Sequence, residues 1–168
     1  MATAMSKIFA IGDIHGCLDK LKKLLELIDV DWTRDTVVFM GDYIDRGPDP
    51  KGVVETVLGL RRHRERVVCL MGNHERMFLN WLDGREEQLF LSNGGRDTLR
   101  SYGIPADAKD RTARVPVEHL DFFRSLLPFY ETQTHLFVHA GVRPGIPLEL
   151  QDPFDLIWIR HEFYGADH

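Results

Sequence analysis

The sequence predicts an α/β chain with its polar, chemistry-bearing residues gathered at the ends of parallel strands. Three observations predict it. Short apolar runs alternate with stretches of helical periodicity over the first half of the chain. Each of the first three apolar runs ends at a glycine that opens a polar cluster. Those clusters recur at separations of 29 residues (Asp13 to Asp42) and 31 residues (Asp42 to Asn73), each the length of one strand–helix–strand repeat.

Taken in order, residues 8–11 read as a strand that stops at Gly12. Residues 18–28 carry Leu18, Leu21, Leu24, Leu25 and Ile28 at helical spacing, with lysines on the opposite face. A second strand at 36–40 and a second helix at 53–60 follow, then a third strand at 67–71 and a third helix at 75–82. The middle of the chain, 83–116, is more polar, with an Asn93-Gly94-Gly95 turn and a short helix at 97–102. Pro116 introduces a helix at 117–127, and 135–138 is a strand running into His139-Ala140-Gly141. Three prolines make 143–153 a loop. Phe122, Phe123, Phe129 and Tyr130 read as core.

Composition narrows the class. A chain of 168 residues, 43% hydrophobic and 28% charged, fits one globular domain over 1–168. A net charge of −5 argues against a nucleic-acid partner. The basic run Arg61-Arg62-His63-Arg64-Glu65-Arg66 ends a helix, where cations complement the macrodipole, and reads as a solvated face. No apolar stretch nears the roughly 20 residues of a membrane span, and the start MATAMSKIFA lacks a signal-peptide core. Two cysteines, Cys17 and Cys69, form no disulfide framework and fit a reducing, cytoplasmic setting.

The chemistry lies in three segments: Gly12-Asp13-Ile14-His15-Gly16, Gly41-Asp42-Tyr43-Ile44-Asp45-Arg46-Gly47-Pro48 and Gly72-Asn73-His74-Glu75. Singly, each residue has a plainer explanation. Asp13 could cap the helix at Leu18, Asn73 could be a turn residue, His139 a core or surface histidine, and Arg46 half of a surface ion pair. Jointly, neighbouring parallel strands bring Asp13, His15, Asp42, Asn73 and His74 to one rim, and a fourth strand end adds His139. Oxygen and imidazole donors without thiolates suit Mn²⁺, Fe or Zn²⁺. A carboxylate shared by two ions makes a two-metal site, which acidifies bound water and clamps both oxygens of an in-line phosphoryl displacement.

These segments resemble the GDxHG, GDxxDRG and GNHE motifs of the phosphoprotein phosphatase family of calcineurin-like metallophosphoesterases, nearest to its bacterial and phage serine/threonine phosphatase branch. The resemblance runs from residue 6 to about 160 and takes in Asn93-Gly94-Gly95, His139-Ala140-Gly141 and Trp158-Ile159-Arg160. It implies a β-sandwich flanked by helices in α-β-β-α layers. It implies two divalent metal ions, Mn first with Fe or Zn as alternatives. Asp13 and His15 would hold the first, Asn73 and His139 the second, with Asp42 bridging. His74, oriented by Asp45, would protonate the leaving oxygen, while Arg46 and Arg160 would hold the phosphate. Asp45 lies three residues past Asp42 in the same loop, so one can face metal while the other faces His74.

The sequence departs from the family at its end. The family's late GHT-like histidine motif has no counterpart after Arg160, and His168 matches neither that motif nor its spacing. The expectation is a C-terminally truncated domain that lacks the last strands, with the second metal more weakly held. The activity implied is hydrolysis of phosphomonoesters by direct attack of a metal-bridging hydroxide, with no covalent intermediate, since no nucleophilic Cys or Ser motif accompanies the site. Phosphoprotein is the first substrate expected, ahead of symmetrical dinucleoside tetraphosphates. An inactive metal-binding interaction domain is the alternative outside enzymology.

Overall fold

In the computed structural model, which describes residues 6–166, the first half folds as the periodicity predicts; His168 lies outside the described residues. Strands β1 (Ile8–Ile11), β2 (Thr36–Phe39) and β3 (Val67–Cys69) form a parallel sheet in the order β1-β2-β3. The register pairs Ile11 with Phe39 and Phe39 with Cys69. All three strands therefore end level, and the three polar segments leave from the same edge. The central strand is sealed, with Val37, Val38 and Phe39 wholly buried.

Helix α1 (Leu18–Leu27) turns Leu21 into the core and leaves Leu27 exposed. Helix α2 (Pro50–His63) starts where the Asp49 side chain accepts the Gly52 N–H and Pro50 presets the first turn. It buries Val53, Val54 and Val57. Its basic end behaves as a solvated face: Arg62 pairs with Glu118, and Arg61 donates to Ser125. Helix α3 (Asn73–Leu82) drives Met77, Phe78, Trp81 and Leu82 into the core. There Phe78 meets the rings of Trp81, Phe90, Tyr102 and Phe123 at centroid distances of 5.3–6.2 Å. Removing one such ring costs about 3–5 kcal/mol, so this cluster anchors α3 and the segment that opens it.

The middle segment is more helical than its polarity suggested. A short helix α4 (Glu87–Phe90) kinks at the Asn93-Gly94-Gly95 turn, where Gly94 takes φ +100°, and continues as α5 (Arg96–Tyr102). Helix α6 (Val117–Arg124) ends earlier than its apolar pattern predicts. Leu127 instead joins the outer edge of β3, its N–H donating to Cys69 and its carbonyl accepting from Met71. The open backbone of that edge outcompetes another helical turn.

Residues 129 and 130, expected as core, are half-buried. They begin β4 (Phe129–Glu131), which pairs antiparallel with β5 (Leu136–Val138) in a second sheet. The loop at 143–153 contains one helical turn, and its last proline starts α7 (Pro153–Trp158), capped by the Asp152 side chain. A final turn, α8, covers His161–Tyr164. Among the described residues no helix is long and apolar enough to cross a membrane.

Candidate metal centre and active site

The three polar segments are stitched to one another by hydrogen bonds from backbone N–H groups. The N–H groups of Ile14 and His15 donate to the Asp42 carbonyl at 3.0 and 2.9 Å, and Gly16 N–H donates to Tyr43 at 2.8 Å. The buried Glu75 carboxylate accepts N–H groups from Asp42 (2.9 Å), Tyr43 (2.8 Å) and Gly72 (3.1 Å). Close approach explains two of the glycines. A Cβ on Gly72 would collide with the Asp42 carboxylate and backbone, and one on Gly47 with the His15 carbonyl. Among the described residues five non-glycine residues have positive φ, and four of them are His15, Asp42, Asp45 and Arg46. Such conformations cost about 1–3 kcal/mol each and persist where surrounding contacts over-determine them.

The result is a compact donor set centred on Asp42, which is 3% exposed. One carboxylate oxygen, Oδ2, lies 3.5 Å from His15 Nε2, and the other, Oδ1, lies 3.6 Å from His139 Nε2. Two groups of donor atoms share it: His15, Asp42 and His74 on one side, and Asp13, Asp42 and His139 on the other. Asp13 thus sits with the His139 side of Asp42. Asn73 joins that side too, its Oδ1 3.0 Å from His139 Nε2.

The imidazoles are oriented for cations. His15 Nδ1 bonds the Ile44 carbonyl and His139 Nδ1 the Met40 carbonyl, both at 2.9 Å. A carbonyl only accepts, so each Nδ1 carries a proton and each Nε2 is the ring nitrogen turned inward, a ligand for a cation when unprotonated. Second-sphere carbonyls of this kind are how metal-ligating histidines are fixed. The residues present fit two divalent ions, with Asp42 between them.

Beside this set stand His74, Asp45 and Arg46, the groups expected to transfer a proton and to bind phosphate. His74 Nδ1 meets Asp45 Oδ2 at 2.6 Å, with both side chains essentially inaccessible to solvent. The exposed Arg46 reaches across the mouth, Nη1 2.9 Å from His15 Nε2 and Nη2 3.0 Å from His74 Nε2. Burial pushes the Asp45 carboxyl up, while its bonds to His74 and Thr98 pull it back down. Burial, reinforced by the neighbouring Asp42 charge, pushes Glu75 up to about 8.

Of the nine residues singled out in the sequence, eight converge here: Asp13, His15, Asp42, Asp45, Arg46, Asn73, His74 and His139. Arg160 is exposed, and its guanidinium donates to the carbonyl of its neighbour Ile159 at 2.9 Å. Two further residues of the site lacked an assigned role. Glu75 was visible as the last letter of the third segment, yet its work of holding the second segment needs the fold to be seen. Thr98 had no signal beyond its position after Asn93-Gly94-Gly95.

Comparison with known proteins agrees with this geometry. The calcineurin-like phosphoesterase family matches residues 6–165. A symmetrical bis(5'-nucleosyl)-tetraphosphatase of Nitrosospira multiformis is 32% identical over 142 residues, covering 84% of this chain and 46% of its own length. The chain therefore spans under half of that relative. Serine/threonine-protein phosphatase 1 of Salmonella typhimurium is 31% identical over 171 residues, covering 96% of this chain and 75% of its own. Among solved structures, a serine/threonine phosphatase from Saccharomyces cerevisiae superposes with a TM-score of 0.60 at 19% identity, over 92% of this chain and 52% of that one. The level strand ends, the carboxylate shared by two donor groups and the match over nearly the whole chain agree: this protein belongs to the calcineurin-like phosphoesterase family.

Proposed function

We propose that the chain hydrolyses phosphomonoesters with two divalent cations, protein phosphoserine and phosphothreonine being its first substrates. One observation carries the catalytic part: Asp42 directs one oxygen toward His15 and the other toward His139. In this reading Asp42 is shared by two cations, with His15 on one and Asn73 and His139 on the other; Asp13, expected with His15, is grouped in this structure with Asp42 and His139. Mn²⁺ suits the mixed oxygen and nitrogen donors, as do Fe and Zn²⁺. When bound, the cations supply an acidified water and neutralise charge on the phosphoryl group.

The protein's own groups do the rest. Arg46 offers a planar fork to two non-bridging phosphate oxygens and holds the ester over Asp42. Arg160, expected as a second clamp, is held at the Ile159 carbonyl, and the clamp in this reading is Arg46. With Arg46 turned from His74 Nε2 to the phosphate, a proton taken up at that nitrogen is given to the leaving oxygen as the phosphorus–oxygen bond breaks, the ring being held by Asp45. The buried carboxylate keeps the ring in orientation and stabilises its cationic form. The two free cysteines accord with a reducing, cytoplasmic setting.

The Salmonella relative, matched over most of both chains, supports a phosphoprotein substrate. A second reading, symmetrical dinucleoside tetraphosphate hydrolysis, is favoured by the tetraphosphatase relatives at 32–35% identity. Assay of a phosphothreonine peptide and of diadenosine tetraphosphate with added Mn²⁺ separates the two. Preferential release of phosphate from the peptide supports the first reading, and preferential cleavage of the dinucleotide replaces it with the second. Hydrolysis of neither, with one bound metal or none, leaves a metal-binding interaction domain.

A further inference from the structure

Helix α5 touches the second polar segment at its two consecutive left-handed residues. Arg46 N–H donates to the Gly94 carbonyl at 3.3 Å, in the turn that opens α5. One position earlier, Thr98 makes two bonds to Asp45. Its Oγ1 donates to Asp45 Oδ1 at 2.5 Å and accepts the Asp45 N–H at 2.9 Å. Thr98 and Asp45 are both wholly inaccessible to solvent. Asp45 holds φ +69°, a conformation in which its carboxylate direction depends on outside contacts.

We infer that Thr98 is a positioning residue for the proton-donating pair Asp45–His74, an inference that rests on the role given to His74 above. A carboxylate that accepts one bond at Oδ1 and one at Oδ2 has no rotational freedom left. With the Thr98 hydroxyl in place, Oδ2 stays 2.6 Å from His74 Nδ1. Without it, the carboxylate turns about its Cβ–Cγ bond to seek another donor, and the His74 ring loses its fixed orientation toward the leaving oxygen. Serine preserves the hydroxyl, whereas valine keeps the shape and removes both bonds.

Leaving-group dependence tests this. A displaced proton donor harms a poor leaving group and spares a good one. In Thr98→Val, kcat for phenyl phosphate is expected to fall by about tenfold or more, a fraction of the ~10²–10⁴ that general acids contribute. For p-nitrophenyl phosphate the fall should be under about threefold, KM should be unchanged for both esters, and Thr98→Ser should behave as wild type. An equal fall on both esters, or none, overturns the inference. If Thr98→Val does not fold, Thr98→Ala removes the same two bonds and is read in the same way.

A second measurement needs no turnover. The proton between His74 Nδ1 and Asp45 gives a far-downfield NMR signal, expected in wild type and Thr98→Ser and missing from folded Thr98→Val. Its persistence in folded Thr98→Val overturns the inference even if the wild type hydrolyses nothing. A wild type that hydrolyses neither ester while the signal behaves as expected removes the proposed function alone.

Discussion

The Glu75 carboxylate accepts the backbone N–H of Asp42 at 2.9 Å, so a residue of the third polar segment fixes the residue around which both donor groups are built. The same carboxylate receives Tyr43 and Gly72. All of this is buried, where an unpaired N–H costs about 1–3 kcal/mol. Glu75→Ala strands at least the Asp42 and Tyr43 donors and should lower unfolding free energy by roughly 3–5 kcal/mol in urea titrations. Glu75→Gln keeps one accepting oxygen and should lose about half as much. A loss below about 1 kcal/mol for the alanine variant would show that the loop is held by other contacts.

Asp42 is the single side chain common to both donor groups. Asp42→Asn removes the charge while nearly keeping the shape, so both cations should weaken together. Titration calorimetry with Mn²⁺ should give two ions per wild-type chain. In the variant, each affinity should fall by at least the roughly 10–100-fold typical of losing an outer-shell partner. Loss of one ion with the other unchanged would mean that Asp42 does not bridge.

Arg46 faces solvent yet bonds both His15 and His74. Lysine in its place keeps the charge and loses the two-pronged geometry. Arg46→Lys should reduce kcat/KM for a phosphate ester by about tenfold, equivalent to ~1.4 kcal/mol of transition-state stabilisation. It should also weaken inhibition by inorganic phosphate to a similar degree. Inhibition that is unchanged would place the phosphate elsewhere.

Much of this centre was readable in the sequence because its donors lie within short segments, each anchored to a strand end. Regular spacing of Asp13, Asp42 and Asn73 then carries the segments to one rim, because the parallel register aligns Ile11, Phe39 and Cys69. Contacts across segments were not readable. Nothing local links Thr98 to Asp45, 53 residues away, or shows that Glu75 turns back onto Tyr43. Strand β4 has no sequence signature because three residues are too few to establish an alternating pattern. Helix α6 stopped short of Leu127 because the free edge of β3 competes for that backbone, a tertiary effect invisible to helical periodicity. Arg160 stands out in the sequence only through a three-residue pattern, and its side chain turns back to its own neighbour.

Away from the metal centre, His119 gives the stability a pH dependence of definite sign. It is buried on α6, with the Tyr102 hydroxyl 2.8 Å from its Nδ1 and the two rings edge-to-face at 5.6 Å. Burial holds its pKa below the ordinary 6.5, with Lys51 and Arg62 pushing the same way and Glu55 and Glu118 opposing. The folded protein therefore binds its proton less readily than the unfolded chain does. Stability from this group is complete above pH 6.5 and is lost as the pH falls from there through the depressed folded value. Unfolding free energy measured with chelator between pH 7.5 and 5.0 should decline in wild type, and more steeply than in His119→Gln, which cannot take up the proton. Parallel curves for the two proteins would assign the decline to other histidines.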